Sequence, residues 1–270
     1  MPYLKKPAKQ LLSLVIPAYK QEKTIKKDIT RIAGSLSALD MPYEIIVVLD
    51  GKLDKTEDIL KNAKLSKVKV VGYEHNHGKG YAVRYGMAHA KGTIIAFLDA
   101  GMDLHPRSIQ IMLDEMEKHR ADIVIGSKLH PLSAVSYPWQ RKVLSWGYRT
   151  LVKTLFGLSI TDTQVGLKMF RRKVLEDVMP RLIVKQFAFD IEILSVANYL
   201  GYSNIQEAPI ELKYATWSSI TSKSFWRIVS LMVWDTIAVF YRLRMLHYYD
   251  SKSKRKWKFD PELNFRINVV

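Results

Sequence analysis

Short apolar runs alternate with amphipathic stretches through the first half of the chain. Residues 11–17, 44–49, 68–73, 94–98 and 123–126 are apolar and largely β-branched, and they read as strands. Residues 22–39, 56–63, 80–90 and 106–119 lie between them with helical spacing, the last opening on Pro106, a residue suited to a first helical turn. Strand and helix alternating at this interval predict an α/β fold: a Rossmann-like, mostly parallel sheet with helices on both faces.

The second half has another texture. Residues 137–155 are helical in pattern and rich in aromatic and basic side chains, and 161–170 read as a loop running into a short strand. Residues 188–200 predict a helix stopped by Gly201, and 205–212 a strand that Pro209 places at a sheet edge. A long helical pattern covers 224–249. At about 100° per residue, Arg227, Ser230, Asp235 and Arg242 fall within roughly 140°, leaving a broad apolar face. That face suits either packing on the sheet domain or lying in a membrane interface. The expected organisation is a basic N-terminal segment (1–10), one α/β unit (11–215), and an amphipathic helix with a basic tail (216–270). There is no internal repeat or low-complexity linker.

Charge narrows the partners. The 270 residues carry 42 Lys and Arg against 26 Asp and Glu, a net charge of +16, with no cysteine. Disulfides and thiolate zinc sites are therefore excluded. Lys5, Lys6 and Lys9 precede the first strand, and Lys252, Lys254, Arg255, Lys256 and Lys258 cluster near the C-terminus. Phosphate-rich ligands, nucleic acid and anionic membranes all suit such an excess, although no nucleic-acid-binding motif is present and nucleic acid is not expected as a partner. The lysine-bearing first ten residues lack a following apolar segment, so no secretory signal is expected, and no run of about 18 apolar residues predicts a membrane span.

The candidate chemistry begins where the run 94–98 ends, at Asp99-Ala100-Gly101-Met102-Asp103. Ligands of open α/β sheets bind just beyond the C-terminal strand ends, so Asp99 and Asp103 stand where a hard divalent cation and a phosphate-bearing substrate could meet. A plain Asp/Gly turn is the other reading.

Four stretches in order carry a resemblance: Val15-Ile16-Pro17-Ala18-Tyr19; Ile45-Ile46-Val47-Val48-Leu49-Asp50-Gly51; Asn76-His77-Gly78-Lys79-Gly80-Tyr81-Ala82-Val83-Arg84-Tyr85-Gly86; and 99–103. Together they resemble family 2 glycosyltransferases of the GT-A fold over residues 10–215. Asp162-Thr163-Gln164-Val165-Gly166-Leu167-Lys168-Met169-Phe170 is similar to the signature of polyprenyl-phosphate glycosyltransferases, especially dolichyl-phosphate β-glucosyltransferases. Gly126-Ser127-Lys128, Trp139-Gln140-Arg141 and Ser145 fit the same subgroup.

The resemblance implies an inverting enzyme that moves a hexose from a nucleotide diphosphate sugar to a polyprenyl phosphate. UDP-glucose is the favoured donor and GDP-mannose the alternative. It implies that Mg²⁺ or Mn²⁺ is held by Asp99 and Asp103, and that Asp50 contacts the base above a floor of Pro17, Ala18 and Tyr19. Gln21, Gly78 and Lys79 complete the donor side. Lys128, Arg141 and Ser145 clamp the acceptor phosphate, and Asp162 orients the acceptor or acts as base. Gln164 and Lys168 shape the same loop, while Asp190 and Glu192 line the sugar pocket or are ordinary helix carboxylates. Two departures stand out. Gly101 replaces an expected carboxylate, and Lys20-Gln21 replaces the usual Asn-Glu, with Glu22 as a candidate substitute. The implied location is cytoplasmic, peripheral to the inner face of a membrane, alone or with a separate membrane partner protein. Readings outside catalysis are a nucleic-acid-binding protein or a catalytically reduced relative that binds lipid.

Overall fold

The computed structural model describes residues 10–99, 107–133, 139–158, 160–186, 188–210, 222–250, 257–261, 263 and 265–268, with backbone alone at 107, 139–145, 222–228, 257 and 265–268. The basic clusters at 5–9 and 252–256 lie outside that set. Seven strands form the main sheet: β1 (Leu12–Ala18), β2 (Tyr43–Asp50), β3 (Val68–Tyr73), β4 (Ile94–Leu98), β5 (Ile123–Ser127), β6 (Leu167–Arg171) and β7 (Ile205–Pro209). Their order is β3-β2-β1-β4-β6-β5-β7, with β6 antiparallel to both neighbours and the other pairings parallel. A separate two-stranded ribbon pairs β8 (Trp257–Asp260) with β9 (Phe265–Asn268).

Burial follows that order. β4 and β5 are buried along their whole length, as strands covered on both faces must be. The edge strand β3 is only partly buried, and Pro209 ends the other edge strand, β7, where a missing N–H costs least. The helices are α1 (Ile25–Leu36), α2 (Thr56–Ala63), α3 (Lys79–His89), α4 (Arg107–Lys118), α5 (Trp139–Phe156), α6 (Arg172–Val178), α7 (Phe189–Tyr199) and α8 (Ser222–Arg244). A single 3₁₀ turn, Met179–Arg181, follows α6.

Predicted and observed elements agree closely in the first half, the largest change being the trimming of 22–39 at both ends to α1. Residues 22–24 are not part of α1, because the Gln21 carbonyl takes the amides of Thr24 and Ile25 and turns the chain into the helix.

The last helix is no detached appendage. Thr236, Val239 and Leu243 are buried, Phe240 meets Phe156 of α5 edge-on, and Tyr148 of α5 bonds Thr236 at 3.0 Å. Beyond α8, Tyr248 and Tyr249 lie in the same core as the sheet. The expected boundary at 215/216 falls within 211–221, outside the described residues. The opposite side of α8 is apolar and open: Leu231, Trp234, Ile237 and Tyr241 are exposed along one stripe, with Met245 and Leu246 continuing it. The broad apolar face of the sequence is thus divided between an inward seam and an outward stripe. Among the described residues no helix is long and apolar enough to cross a membrane.

Candidate active site

The C-terminal ends of β1, β2 and β4 place Tyr19, Asp50 and Asp99 on one rim of the sheet. Asp99 is half-buried, its amide donating to the Gly166 carbonyl at 2.9 Å. The carboxylate lies directly over Gly166, where a Cβ would come 2.1 Å from Oδ2, so this position is closed to any side chain. Across the carboxylate stands the Lys79 ammonium, 3.0 Å from Oδ2 and 2.9 Å from Oδ1. Oδ1 nevertheless makes no hydrogen bond.

Lys79 is shared. Its Nζ is also 3.0 Å from Asp190 Oδ2, and Asp190 Oδ1 is 2.5 Å from Lys168 Nζ. Lys168 additionally donates to the Val165 carbonyl at 2.6 Å. Four elements therefore meet in an alternating chain, Asp99 (β4), Lys79 (α3), Asp190 (α7) and Lys168 (β6). Burial opposes the charge on Lys79, but Asp190 and Asp99 outweigh it and hold its pKa above the usual lysine range. Asp190 is likewise buried, yet Lys168 and Lys79 keep its carboxyl below the usual carboxylate range. Burial pushes Lys168 down against the pull of Asp190, and it raises Asp99 against the pull of Lys79. With its side chain only 3% exposed and an ammonium on either side, Asp190 is the centre of this charge framework.

Asp50 ends β2 beside the loop 75–78. Only 4% exposed, it accepts hydrogen bonds from the Tyr73 hydroxyl (2.9 Å), the Asn76 amide side chain (2.8 Å) and the backbone of His77 (2.8 Å) and Gly78 (3.1 Å). These bonds pin the loop 75–78 against β2. The tyrosine pays for nothing here beyond closeness: burial, then the Asp50 charge, raise the Tyr73 hydroxyl far above its ordinary range.

Backbone amides at the start of α3 are also bonded within the protein. The amides of His77 and Gly78 go to Asp50, and that of Gly80 to the Lys185 carbonyl at 2.9 Å. Gly78 has φ +95°, and a Cβ there would strike the Lys185 carbonyl at 2.7 Å. This glycine is needed for a turn packed under residues 185–186.

The remaining donor-side residues fall as follows. Ala18 is buried, Pro17 is half-buried and Tyr19 is 45% exposed on the rim. Lys20 has φ +52°, turning the chain sharply after Tyr19. Gln21 is held by both ends, its amide donating to Thr56 Oγ1 and its side-chain oxygen accepting from Thr24. Glu22 accepts from the Lys55 amide at the start of α2.

On the acceptor side, Asp162 Oδ2 accepts the backbone amide of Lys128 at 3.1 Å, joining the loops after β5 and before β6. Ser127 and Thr161 hydroxyls meet at 3.2 Å, and Glu207 Oε1 receives the amides of Thr161 (2.9 Å) and Asp162 (3.1 Å). Sequence reasoning did not single out Glu207; a carboxylate beside the edge-strand proline was its only signal. Gln164 reaches the Tyr148 hydroxyl at 3.4 Å, tying the same loop to α5. The backbone of Arg141 and Ser145 lies in α5, but their side chains, like the whole of Gly101 and Asp103, are outside the described residues. Among the described residues no cluster of three or more His, Asp or Glu suits a metal ion. One observation does fit such an ion: Asp99 Oδ1 makes no hydrogen bond, although the Lys79 ammonium stands 2.9 Å away.

Comparison with known proteins places these features in a family. A family model described as Glycosyl transferase family 2 matches residues 13–179. A dolichyl-phosphate beta-glucosyltransferase of Trichomonas vaginalis is 30% identical over 248 residues, covering 88% of this chain and 76% of that protein. The Drosophila melanogaster dolichyl-phosphate beta-glucosyltransferase is 32% identical over 205 residues, 70% of this chain but 63% of its own length. In structure, glucosyl-3-phosphoglycerate synthase of Mycobacterium tuberculosis, crystallised with Mn²⁺, UDP and glucosyl-3-phosphoglycerate, superimposes with TM-score 0.65 at 17% identity over 96% of this chain and 87% of that one. The same synthase has also been crystallised with Mg²⁺ and UDP. The likeness in structure establishes a GT-A-like sheet.

Proposed function

This chain belongs to glycosyl transferase family 2, and from that premise we propose that it transfers glucose from UDP-glucose to a polyprenyl phosphate of the dolichyl type, with inversion at the anomeric carbon. The observation that carries the reading is the placement, on the same C-terminal rim of the sheet, of the Asp99–Lys79 pair after β4 and of the Asp162–Lys128 loop pair beside β5 and β6. One half is suited to a diphosphate and the other to a second anion.

The chemistry asks for little base catalysis, because an acceptor phosphate is already anionic at neutral pH. What it needs is positive charge and fixed geometry, so that two anions approach each other in line. Lys79 supplies one cation to the departing diphosphate. Lys128 supplies another to the acceptor, its backbone fixed by Asp162, and Arg141 and Ser145 complete that clamp from α5. Asp99, with Asp103, would hold Mg²⁺ or Mn²⁺, which would offset charge developing on the leaving nucleotide. Tyr19 and the end of β1 form the surface beneath the base and ribose.

The exposed stripe of α8 supports attachment to a membrane surface, where a lipid acceptor is found. The proposed location is the cytoplasmic leaflet. The proposed division keeps 11–215 as the catalytic part and 216–270 as the part that meets lipid.

A donor-by-acceptor test decides the matter. Purified protein is incubated with radiolabelled UDP-glucose or GDP-mannose, with or without a short dolichyl phosphate, and lipid-extractable sugar is counted. Label from UDP-glucose, dependent on the acceptor, is expected. Label from GDP-mannose alone would move the assignment to mannose transfer, and no label from either donor would remove it.

A further inference from the structure

We propose that Asp190, anchored by Lys168, is a positioning residue that keeps the Lys79 ammonium beside Asp99 when a divalent cation and a diphosphate arrive; this rests on the donor-site reading above. The chain of charges is graded from the surface inward. Side-chain exposure falls from 32% at Asp99 and 21% at Lys79 to 3% at Asp190 and 0% at Lys168. The outer pair is open to ligands and the inner pair is not.

That gradient separates two jobs. A metal ion seated on Asp99 repels the ammonium sharing that carboxylate, and lysine is a compact charge on a flexible stem that would swing into solvent. Asp190 gives the ammonium a second carboxylate, at 3.0 Å, that no ion from solvent reaches. Asp190 is in turn fixed from behind by Lys168, and it stands in the first turn of α7, where the helix dipole favours a carboxylate. A buried ion pair needed for stability alone is commonly replaceable by apolar side chains. One whose far end holds a ligand-facing cation is not. The ammonium donates at most three hydrogen bonds, and with two directed at these carboxylates the third remains for a phosphate oxygen.

The test is calorimetric titration of UDP into the full chain, once in EDTA and once in saturating Mn²⁺, for wild type, Lys79→Met, Asp190→Asn and the double variant. Lys79→Met is expected to weaken UDP binding about tenfold in both conditions, the size of one charge-assisted contact. Asp190→Asn is expected to weaken it about tenfold in Mn²⁺ but less than about threefold in EDTA, where Asp99 still holds the ammonium. The double variant in Mn²⁺ should bind no worse than Lys79→Met alone. Equal losses for Asp190→Asn in both conditions, or additive losses in the double variant, would overturn the proposal. Should Asp190→Asn fail to fold, the paired change Asp190→Leu with Lys168→Met removes both buried charges together, and the same Mn²⁺-dependent loss is expected of it. A parallel GDP titration separates the two levels. Wild-type protein that binds neither nucleotide refutes the donor-site reading and this inference together. Wild type that binds, with Asp190→Asn equal to it in Mn²⁺, refutes this inference alone.

Discussion

The hydroxyl of Tyr249 donates a 2.7 Å hydrogen bond to Glu192, 57 residues earlier in the chain and fully buried in α7. The same carboxyl receives the backbone amides of Ile183 and Val184, with Arg84 buried nearby. The chain after α8 is thus bolted to the helix that carries Asp190. Removing the hydroxyl in Tyr249→Phe should cost about 1–3 kcal/mol, the usual range for leaving a buried acceptor short of its partner. That corresponds to a fall of roughly 2–12 °C in melting temperature for a domain of this size, read by thermal denaturation. A melting point unchanged within about 1 °C would show that the contact is not formed in solution.

The same carboxyl gives a pH dependence. Burial raises Glu192 above its ordinary value of 4.5, against the pull of Tyr249, the two amides and Arg84. The folded state therefore holds this proton more tightly than the unfolded chain does. Its contribution to stability is fully present below 4.5 and is lost as pH rises from there through the raised pKa. Glu192→Gln has no such proton to lose. Melting curves across acidic to neutral pH should show wild type losing stability relative to Glu192→Gln as pH rises through that window, and parallel curves would contradict the assignment.

Gly166→Ala tests how closely Asp99 is seated. The new methyl would occupy the space of the Asp99 carboxylate, pushing it off Lys79. A displacement of this kind is expected to reduce transfer about 100-fold, while overpacking costs only about 1–3 kcal/mol of stability. Transfer rate and melting temperature measured on the same preparation check both parts. Full activity would mean that the carboxylate position does not matter.

Asp162 separates two roles. If it fixes Lys128 through the 3.1 Å bond to that backbone amide, Asp162→Asn keeps an acceptor oxygen and should retain activity within about tenfold, with Asp162→Ala losing more. Loss of a general base would instead cost about 10²–10⁴ in either variant. Initial rates at saturating donor over a range of acceptor concentrations distinguish them.

The outward stripe of α8 makes a separate prediction. Changing Leu231, Trp234 and Tyr241 together to serine should leave the fold and UDP affinity intact, because all three side chains are exposed. Binding to liposomes containing anionic lipid should drop at least about tenfold by co-sedimentation. Unchanged sedimentation would place the membrane contact on another surface.

Much of the sheet was legible because each buried strand is a continuous apolar run: β3 and β4 have the predicted bounds, and β1, β2 and β5 differ only at their ends. The β8–β9 ribbon and α6 were not, since periodicity is weak over such short spans. The site was legible as a set of positions and less so as a set of roles. A motif shows that an aspartate ends β2, but not that Tyr73, Asn76, His77 and Gly78 consume its oxygens. Likewise Lys168 and Asp190 are 22 residues apart, and nothing local in either segment announces that they touch. Satisfaction of buried polar groups is a property of the packed chain, and neither the bonds to Asp50 nor the Lys168–Asp190 pair can be read from a local pattern.

The reversed strand β6 has a bearing on the order of synthesis. Lys168 pairs with Phe97 of β4 on one side and Ile125 of β5 on the other, although both neighbours leave the ribosome earlier. Until β6 emerges, β4 and β5 each present an open apolar edge, the kind of edge that invites pairing with other chains. The Gly166 carbonyl that anchors Asp99 and the ammonium that anchors Asp190 arrive on that same segment. β6 therefore joins the two parts of the sheet and carries both anchors, and a nascent chain stopped short of it has neither a joined sheet nor an anchored charge chain.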